Sequence, residues 1–176
     1  MNKTNLELKH YCANFKKIRE ILKEIGAKKE IVKNQKDYFF NLSKKSDSPG
    51  RLKLRLENNT KTLVYYERPD FVKSKNTISK VTLYNVADNQ LLHFLIETFG
   101  IQAIVEKKRE VWRKDNAVFH LDTVKNVGDI FEVELQKIGV INNKDRALFA
   151  SYQKVLTPFL GKVIKGSNID LVNHKK

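Results

Sequence analysis

The 176-residue chain has a single cysteine, Cys12, so neither a disulfide framework nor a cysteine metal site can be built. No apolar run approaches the length of a membrane span, and Met1–His10 lacks the apolar core of a secretion signal; a soluble, cytoplasmic protein with no membrane partner is expected. There is no Walker loop, no Rossmann glycine fingerprint and no nucleophile elbow, which excludes those three chemistries. The histidines, His10, His93, His120 and His174, fall at no metal-ligand spacing and read as structural. Acidic residues are the scarcer charge. Twenty stand against 34 basic ones, a net charge of +14 with a pI near 9.8. That balance points to an anionic partner: nucleic acid, a phosphorylated small molecule or an acidic surface. With 41% hydrophobic residues, one domain or two fused lobes sharing a sheet can bury a core.

What is present is alternation. In Gly50–Glu57, Leu52, Leu54 and Leu56 alternate with Arg51, Lys53, Arg55 and Glu57, the period of a half-buried strand. Three cations therefore share one face at ~6.6 Å spacing, where they repel unless anions sit among them. The same device recurs. Leu6 and Leu8 oppose Asn5, Glu7 and Lys9; residues 103–113 carry Lys107, Arg109 and Arg113 on one parity; Phe119 and Leu121 oppose His120 and Asp122; Phe131, Val133 and Leu135 oppose Glu132, Glu134 and Gln136. Residues 28–41 read as a long strand carrying Lys33, Gln35 and Asp37, and Glu57–Thr60 as a hairpin tip into a strand ending at Pro69.

The helical segments are amphipathic. Asn14 is placed to cap a helix with Ile18, Ile21, Leu22 and Ile25 inward and Gly26 as its stop; Asp88 is placed likewise before Leu92, Leu95, Ile96, Phe99 and Gly100. A shift of 74 residues superimposes these two sets and carries Ile31 and Lys33 onto Val105 and Lys107. A strand–helix–Gly–strand unit used twice predicts a pseudo-symmetric sheet. A last helix is expected over about 144–159, and the polar tail from Gly161 is expected to fray. The division is thus a domain over 1–160 and a flexible tail over 161–176.

With helices covering the apolar strand faces, seven or eight strands must turn their charged faces into a lumen. It would hold Lys9, Lys53, Arg55, Lys107 and Arg109 together with Glu7, Asp122, Glu132 and Glu134. Such burial is costly unless each charge is paired or coordinates something. A polyphosphate with a divalent cation satisfies both signs. An exposed nucleic-acid platform leaves the paired acids Glu132 and Glu134 unexplained and is disfavoured.

In order, Asn5-x-Glu7-x-Lys9, Gln35-x-Asp37-Tyr38-Phe39, Gly50-Arg51-Leu52-Lys53-Leu54-Arg55, Tyr65-Tyr66-Glu67-Arg68-Pro69, Lys107-Lys108-Arg109 and His120-Leu121-Asp122 through Glu132-Val133-Glu134 resemble the CYTH family. That family comprises class IV adenylate cyclases and thiamine triphosphatases, the triphosphate tunnel metalloenzymes; the cyclase-like branch is the closer match. The resemblance covers about residues 5–157. It implies an α+β fold, an eight-stranded antiparallel barrel with a polar lumen and helices outside. It implies that Lys9, Lys53, Arg55, Arg68, Lys107 and Arg109 bind phosphates. Glu7, Glu132 and Glu134, helped by Asp122, would hold Mg²⁺ or Mn²⁺. The implied partner is ATP or another triphosphate, with a homodimer allowed; the implied activity is conversion of ATP to cyclic AMP, or else a triphosphatase or a non-catalytic triphosphate-binding module. No general base is assigned. Asn5 departs from the family's Glu-x-Glu-x-Lys opening and removes one negative charge from the metal site.

Overall fold

The structure, a computed structural model, describes residues 2–42, 50–67 and 77–173. Eight strands run β1 (Asn2–Tyr11), β2 (Lys28–Phe40), β3 (Arg51–Glu57), β4 (Thr60–Glu67), β5 (Thr77–Val86), β6 (Ile101–Lys114), β7 (Ala117–Val124) and β8 (Gly128–Lys137). They close into an antiparallel barrel in the order β1-β5-β4-β3-β2-β6-β7-β8. Four helices lie among them in sequence: α1 (Phe15–Glu24), α2 (Leu91–Phe99), α3 (Asn143–Leu156) and α4 (Asn168–Asn173). The eight-stranded barrel that the family resemblance implies is the fold that forms, and the alternating strands do turn their charged faces into a lumen.

The helices take the apolar strand faces. Ile18, Ile21 and Leu22 of α1 and Phe149, Tyr152 and Leu156 of α3 pack on the outward side chains of β1, β7 and β8. On the other flank, Leu91, Leu92, Leu95 and Ile96 cover Leu52, Leu54 and Leu56 of β3. Leu54 is fully buried there. Full burial of such a side chain contributes about 1.5–3 kcal/mol, so the helices can be docked only with the leucine face outward and the charged face in.

Local signals set the helix ends. The Asn14 side chain accepts from Lys17 N–H at 3.0 Å, the predicted N-cap, and Gly26 follows α1 at φ +82°. The second cap differs from expectation: Gln90 precedes α2, and Asp88 instead accepts from Gln90 N–H at 2.7 Å, stabilising the turn into the helix. Asn142 and Asp145 form a reciprocal capping box on α3, which gives way to a 3₁₀ turn at Thr157–Phe159 where Pro158 has no N–H to donate.

The two-fold pattern is present in the strand register. At both places where equivalent strands meet, the facing residues are Asn5↔Ser79 and Asn34↔Lys108; 79 − 5 and 108 − 34 are both 74. Each half is therefore a βαβββ unit, and a pseudo-two-fold axis passes between β1 and β5 and between β2 and β6.

The segment from Gly161, read from sequence as a fraying tail, is placed against one mouth of the barrel. Ile164 N–H donates to Lys9 C=O at 2.9 Å, and His10 Nδ1 lies 2.7 Å from the Gly161 carbonyl oxygen. Ile164 and Ile169 pack with Phe39, Ala103, Val105, Val124 and Ile130 in an apolar plug. Two isolated isoleucines in a polar stretch carry no periodicity, so the sequence gives no sign of this contact.

Candidate functional site

Every strand contributes to the lumen, a cavity of about 430 Å³. Its wall is sorted by charge. β1 and β8 present Asn5, Glu7, Lys9, Glu132 and Glu134; β2, β3 and β6 present Asp37, Lys53, Arg55, Lys107 and Arg109; β4 and β5 add Val64, Tyr66, Val81 and Leu83, a nearly apolar strip. The structure thus brings Lys9, Lys53, Arg55, Lys107 and Arg109 together with Glu7, Glu132 and Glu134 in one cavity. Arg68 lies outside the described residues.

The basic wall is built from two similar clamps. On β3, Lys53 Nζ contacts Asp37 Oδ2 at 2.7 Å, and Arg55 grips the same carboxylate through Nε and Nη2 at 2.7 and 2.8 Å. On β6, Lys107 Nζ contacts Asp122 Oδ2 at 3.0 Å, and Arg109 meets Asp122 through Nε at 2.7 Å and Nη2 at 2.6 Å. The cross-strand register creates both clamps, since Asp37 faces Arg55 and Asp122 faces Arg109. A bidentate carboxylate fixes each guanidinium and leaves its remaining donors for an anion. Lys53 also sits over the rings of Phe39 and Tyr66 at 5.2 and 5.8 Å. Asp122, expected to assist a metal, is instead enclosed by Lys107 and Arg109 and has no exposed surface.

Burial strains the lysines more than the arginines. Lys53 is pushed down to about 7 by burial first and by Arg55 second, against the pull of Asp37. Burial and the Arg109 charge lower Lys107 to about 8. Burial likewise opposes the Arg109 charge, but Asp122, Glu132 and Glu134 outweigh it and raise its pKa. Burial would raise Asp37 and Asp122, yet the cations clamped on them hold both below the ordinary carboxylate range.

The acidic wall follows from the β1–β8 register. Glu7 faces Glu134 and Lys9 faces Glu132 across the pair. Lys9 Nζ reaches Glu132 Oε1 at 3.0 Å, and Arg109 Nη2 reaches Glu132 Oε2 at 2.9 Å. Glu7 accepts from the Ser79 hydroxyl, while Gln136 Nε2 donates to Glu134 Oε2 at 3.0 Å. Two carboxylates directly opposite on a sheet repel unless a cation lies between them. Glu132 and Glu134 nonetheless stay ionised: burial raises both, but Lys9 and Arg109 hold Glu132 well down and His120 lowers Glu134.

Residues that the sequence reading passed over complete the site. One nitrogen of His120 and one carboxylate oxygen each of Glu132 and Glu134 lie within 4.8 Å of one another, so this histidine is not remote from metal-binding groups as its spacing had indicated. Asp37, which orders the first clamp, was legible in the parity Lys33, Gln35, Asp37 on β2. Asn168, which accepts from Lys9 Nζ at 3.1 Å, and Ser79 had no such signal. The donor set can hold a divalent cation, because a ring nitrogen and two carboxylate oxygens converge on one spot. Asn5 Oδ1 is buried there with no hydrogen-bond partner among the described residues.

Comparison with known proteins agrees with this architecture. The CYTH domain profile matches residues 3–155. The PH1012 protein from Pyrococcus horikoshii OT3 has the same fold, with a TM-score of 0.75 and 23% identity over 95% of this chain and 98% of that one. A candidate adenylate cyclase from Vibrio parahaemolyticus superposes with a TM-score of 0.68 at 13% identity, covering 96% of this chain and 97% of its own. HpAC1 from Hippeastrum, an adenylyl cyclase candidate with a dominant triphosphatase activity, gives 0.65 at 13%, covering 98% and 96%. No curated protein matches the chain.

Proposed function

Because the chain belongs to the CYTH domain family, we propose that it binds a nucleoside triphosphate along the barrel axis and converts ATP to cyclic AMP and pyrophosphate in the manner of a class IV adenylate cyclase. The observation that carries this reading is the sorted wall: two Lys-x-Arg clamps facing one cavity, opposite Glu7, Glu132 and Glu134. In this reading Lys9, Lys53, Arg55, Lys107 and Arg109 take the phosphate oxygens from the lumen wall, joined by Arg68 on the strength of the family resemblance. Glu7, Glu132 and Glu134 hold Mg²⁺ or Mn²⁺, whose chemistry when bound is to neutralise phosphate charge. The Val64, Tyr66, Val81 and Leu83 strip gives an organic group a dry surface, which favours a nucleoside over inorganic tripolyphosphate. Residues 1–160 carry the clamps and the carboxylates, and Ser167 and Asn168 line the mouth against which residues 161–173 lie.

Cyclisation needs the ribose 3′ oxygen to bond to the α-phosphorus as the bond to the bridging oxygen breaks. Pyrophosphate leaves and the 3′-hydroxyl proton passes to solvent. The clamps serve this by position: a guanidinium pinned by a carboxylate is already oriented when the charge on the leaving phosphates grows. Asn5 favours a second reading, a triphosphate-binding module without turnover, because one carboxylate fewer weakens metal retention.

The deciding experiment incubates the protein with ATP, thiamine triphosphate and tripolyphosphate in Mg²⁺ or Mn²⁺ and resolves the products. Equal cyclic AMP and pyrophosphate from ATP is the expected result. Orthophosphate alone would replace the cyclase reading by a triphosphatase. No product from any of the three, with thermal stabilisation by each, would leave only the binding module.

A further inference from the structure

His120 lies in β7 beside the acidic wall, faces Glu132 in the β7–β8 register, and is 6% exposed. Its Nε2 is 3.5 Å from Glu134 Oε1, too long for a strong ion pair, and its Nδ1 is buried with no hydrogen-bond partner among the described residues. Asn5, 7% exposed, repeats the situation from the opposite side of Glu134. Its amide nitrogen stands 3.5 Å from Glu134 Oε2, and its Oδ1 is unpartnered. Turning that amide over exchanges its oxygen and nitrogen without moving the chain. One His120 nitrogen lies within 4.8 Å of an oxygen of each of Glu132 and Glu134. Whichever ring nitrogen carries the proton, the neutral imidazole keeps one lone pair, so two buried side chains offer a lone pair beside these ionised carboxylates. Burying a polar atom unpaired costs about 1–3 kcal/mol, so a ligand that accepts both lone pairs would remove two penalties at once.

We propose that His120 is a metal ligand of this chain, completing with Glu132, Glu134 and the Asn5 oxygen a mixed nitrogen–oxygen site. Such a site selects Mn²⁺, Co²⁺ or Zn²⁺ over Mg²⁺. The chemistry follows from the donors. Mg²⁺ asks for an all-oxygen octahedron and keeps its waters, whereas imidazole binds first-row transition ions in the Irving–Williams order. The Asn5 amide brings an oxygen but no charge to the site, so its hold on Mg²⁺, which is held by charge, is weak. An added imidazole compensates only for ions that bond to nitrogen. The inference deepens the proposed function, since it concerns the cation of the same site, but its readouts do not depend on turnover.

The test uses the full chain without substrate. Pulsed electron paramagnetic resonance of bound Mn²⁺ should show coupling to an imidazole ¹⁴N, and that coupling should vanish in His120→Gln. Calorimetric titration should give tighter binding of Co²⁺ and Mn²⁺ than of Mg²⁺. His120→Gln should weaken Co²⁺ by at least about tenfold, the scale at which even outer-shell partners of metals act, while leaving Mg²⁺ unchanged. Mn²⁺ bound with no nitrogen coupling in the unaltered protein would overturn the assignment, whether or not the variant folds. So would equal losses for Co²⁺ and Mg²⁺ in a folded variant. Nitrogen coupling in a protein that turns over no triphosphate would sink the cyclase reading and leave this one standing; turnover without coupling would do the reverse.

Discussion

Lys53 offers a quantitative test of whether the lumen is an anion site. In the ligand-free protein its pKa is about 7, so at pH 8 about nine-tenths of the population is neutral. A phosphate within ~4–6 Å favours the charged form and drives the pKa back up. Binding at pH 8 should then take up about 0.9 proton at Lys53, and roughly 0.5 more at Lys107, whose pKa is about 8. At pH 6 both lysines are already charged and the uptake should fall to about 0.1. The sign is fixed: affinity weakens as the pH rises through 7 and 8, because the protein must capture protons that become scarce. The assay is calorimetric titration with ATP at fixed Mg²⁺, in buffers of different ionisation enthalpy, at pH 6 and pH 8. Lys53→Arg keeps a permanent charge and should lower the uptake at pH 8 by about 0.9 proton; proton changes on ATP itself cancel between the two proteins. Equal proton counts in both, or net release in the unaltered protein, would refute the reasoning. The depressed pKa also has a folding counterpart. Between pH 7 and 10.5 the unfolded chain holds a proton that folded Lys53 has lost, so the Lys53 contribution makes the fold more stable as the pH rises across that window.

Three further perturbations separate the parts of the site. Asp122→Asn leaves Lys107 and Arg109 facing a neutral group in a sealed position; denaturant unfolding should show a loss of about 3–5 kcal/mol, and a loss under 1 kcal/mol would mean that the clamp is not a structural unit. Glu134→Gln is nearly isosteric and should keep the melting temperature while weakening Mn²⁺ by about tenfold or more; unchanged Mn²⁺ binding would remove Glu134 from the metal. Asn5→Glu adds a carboxylate next to Glu134, so the metal-free protein should melt lower and the rise produced by Mn²⁺ should be larger. A Mn²⁺ titration identical to that of the unaltered protein would place position 5 away from the cation.

The barrel was legible because alternation is a local signal with a global meaning: Leu52, Leu54 and Leu56 need a helix, so Lys53 and Arg55 must face the other way. Charged residues at fixed parity on β1, β3, β6, β7 and β8 therefore pointed to one interior. The halves were legible through their matching helix ends, and the register confirms the shift. What alternation cannot reveal is which strands become neighbours. His120 has no second ligand at a suitable spacing along the chain; its companions lie on β8, twelve and fourteen residues later, and arrive through pairing. The family resemblance implies a metal role for Asp122, whereas its place facing Arg109 follows from the β6–β7 register, which no local pattern reveals. Asn168 approaches Lys9 from a segment with no periodic pattern.

The closure of the barrel also governs when the protein can fold. β1 is hydrogen-bonded on one side to β5 and on the other to β8, where Thr4 faces Lys137. Until residue 137 has left the ribosome, the first strand has an open edge and its row of charges has no opposite wall. Contacts so distant in sequence slow folding, and an unpaired edge is where one chain adds to another. Until β8 is made, β1 therefore keeps one edge uncovered, and closing the barrel is the step that removes it.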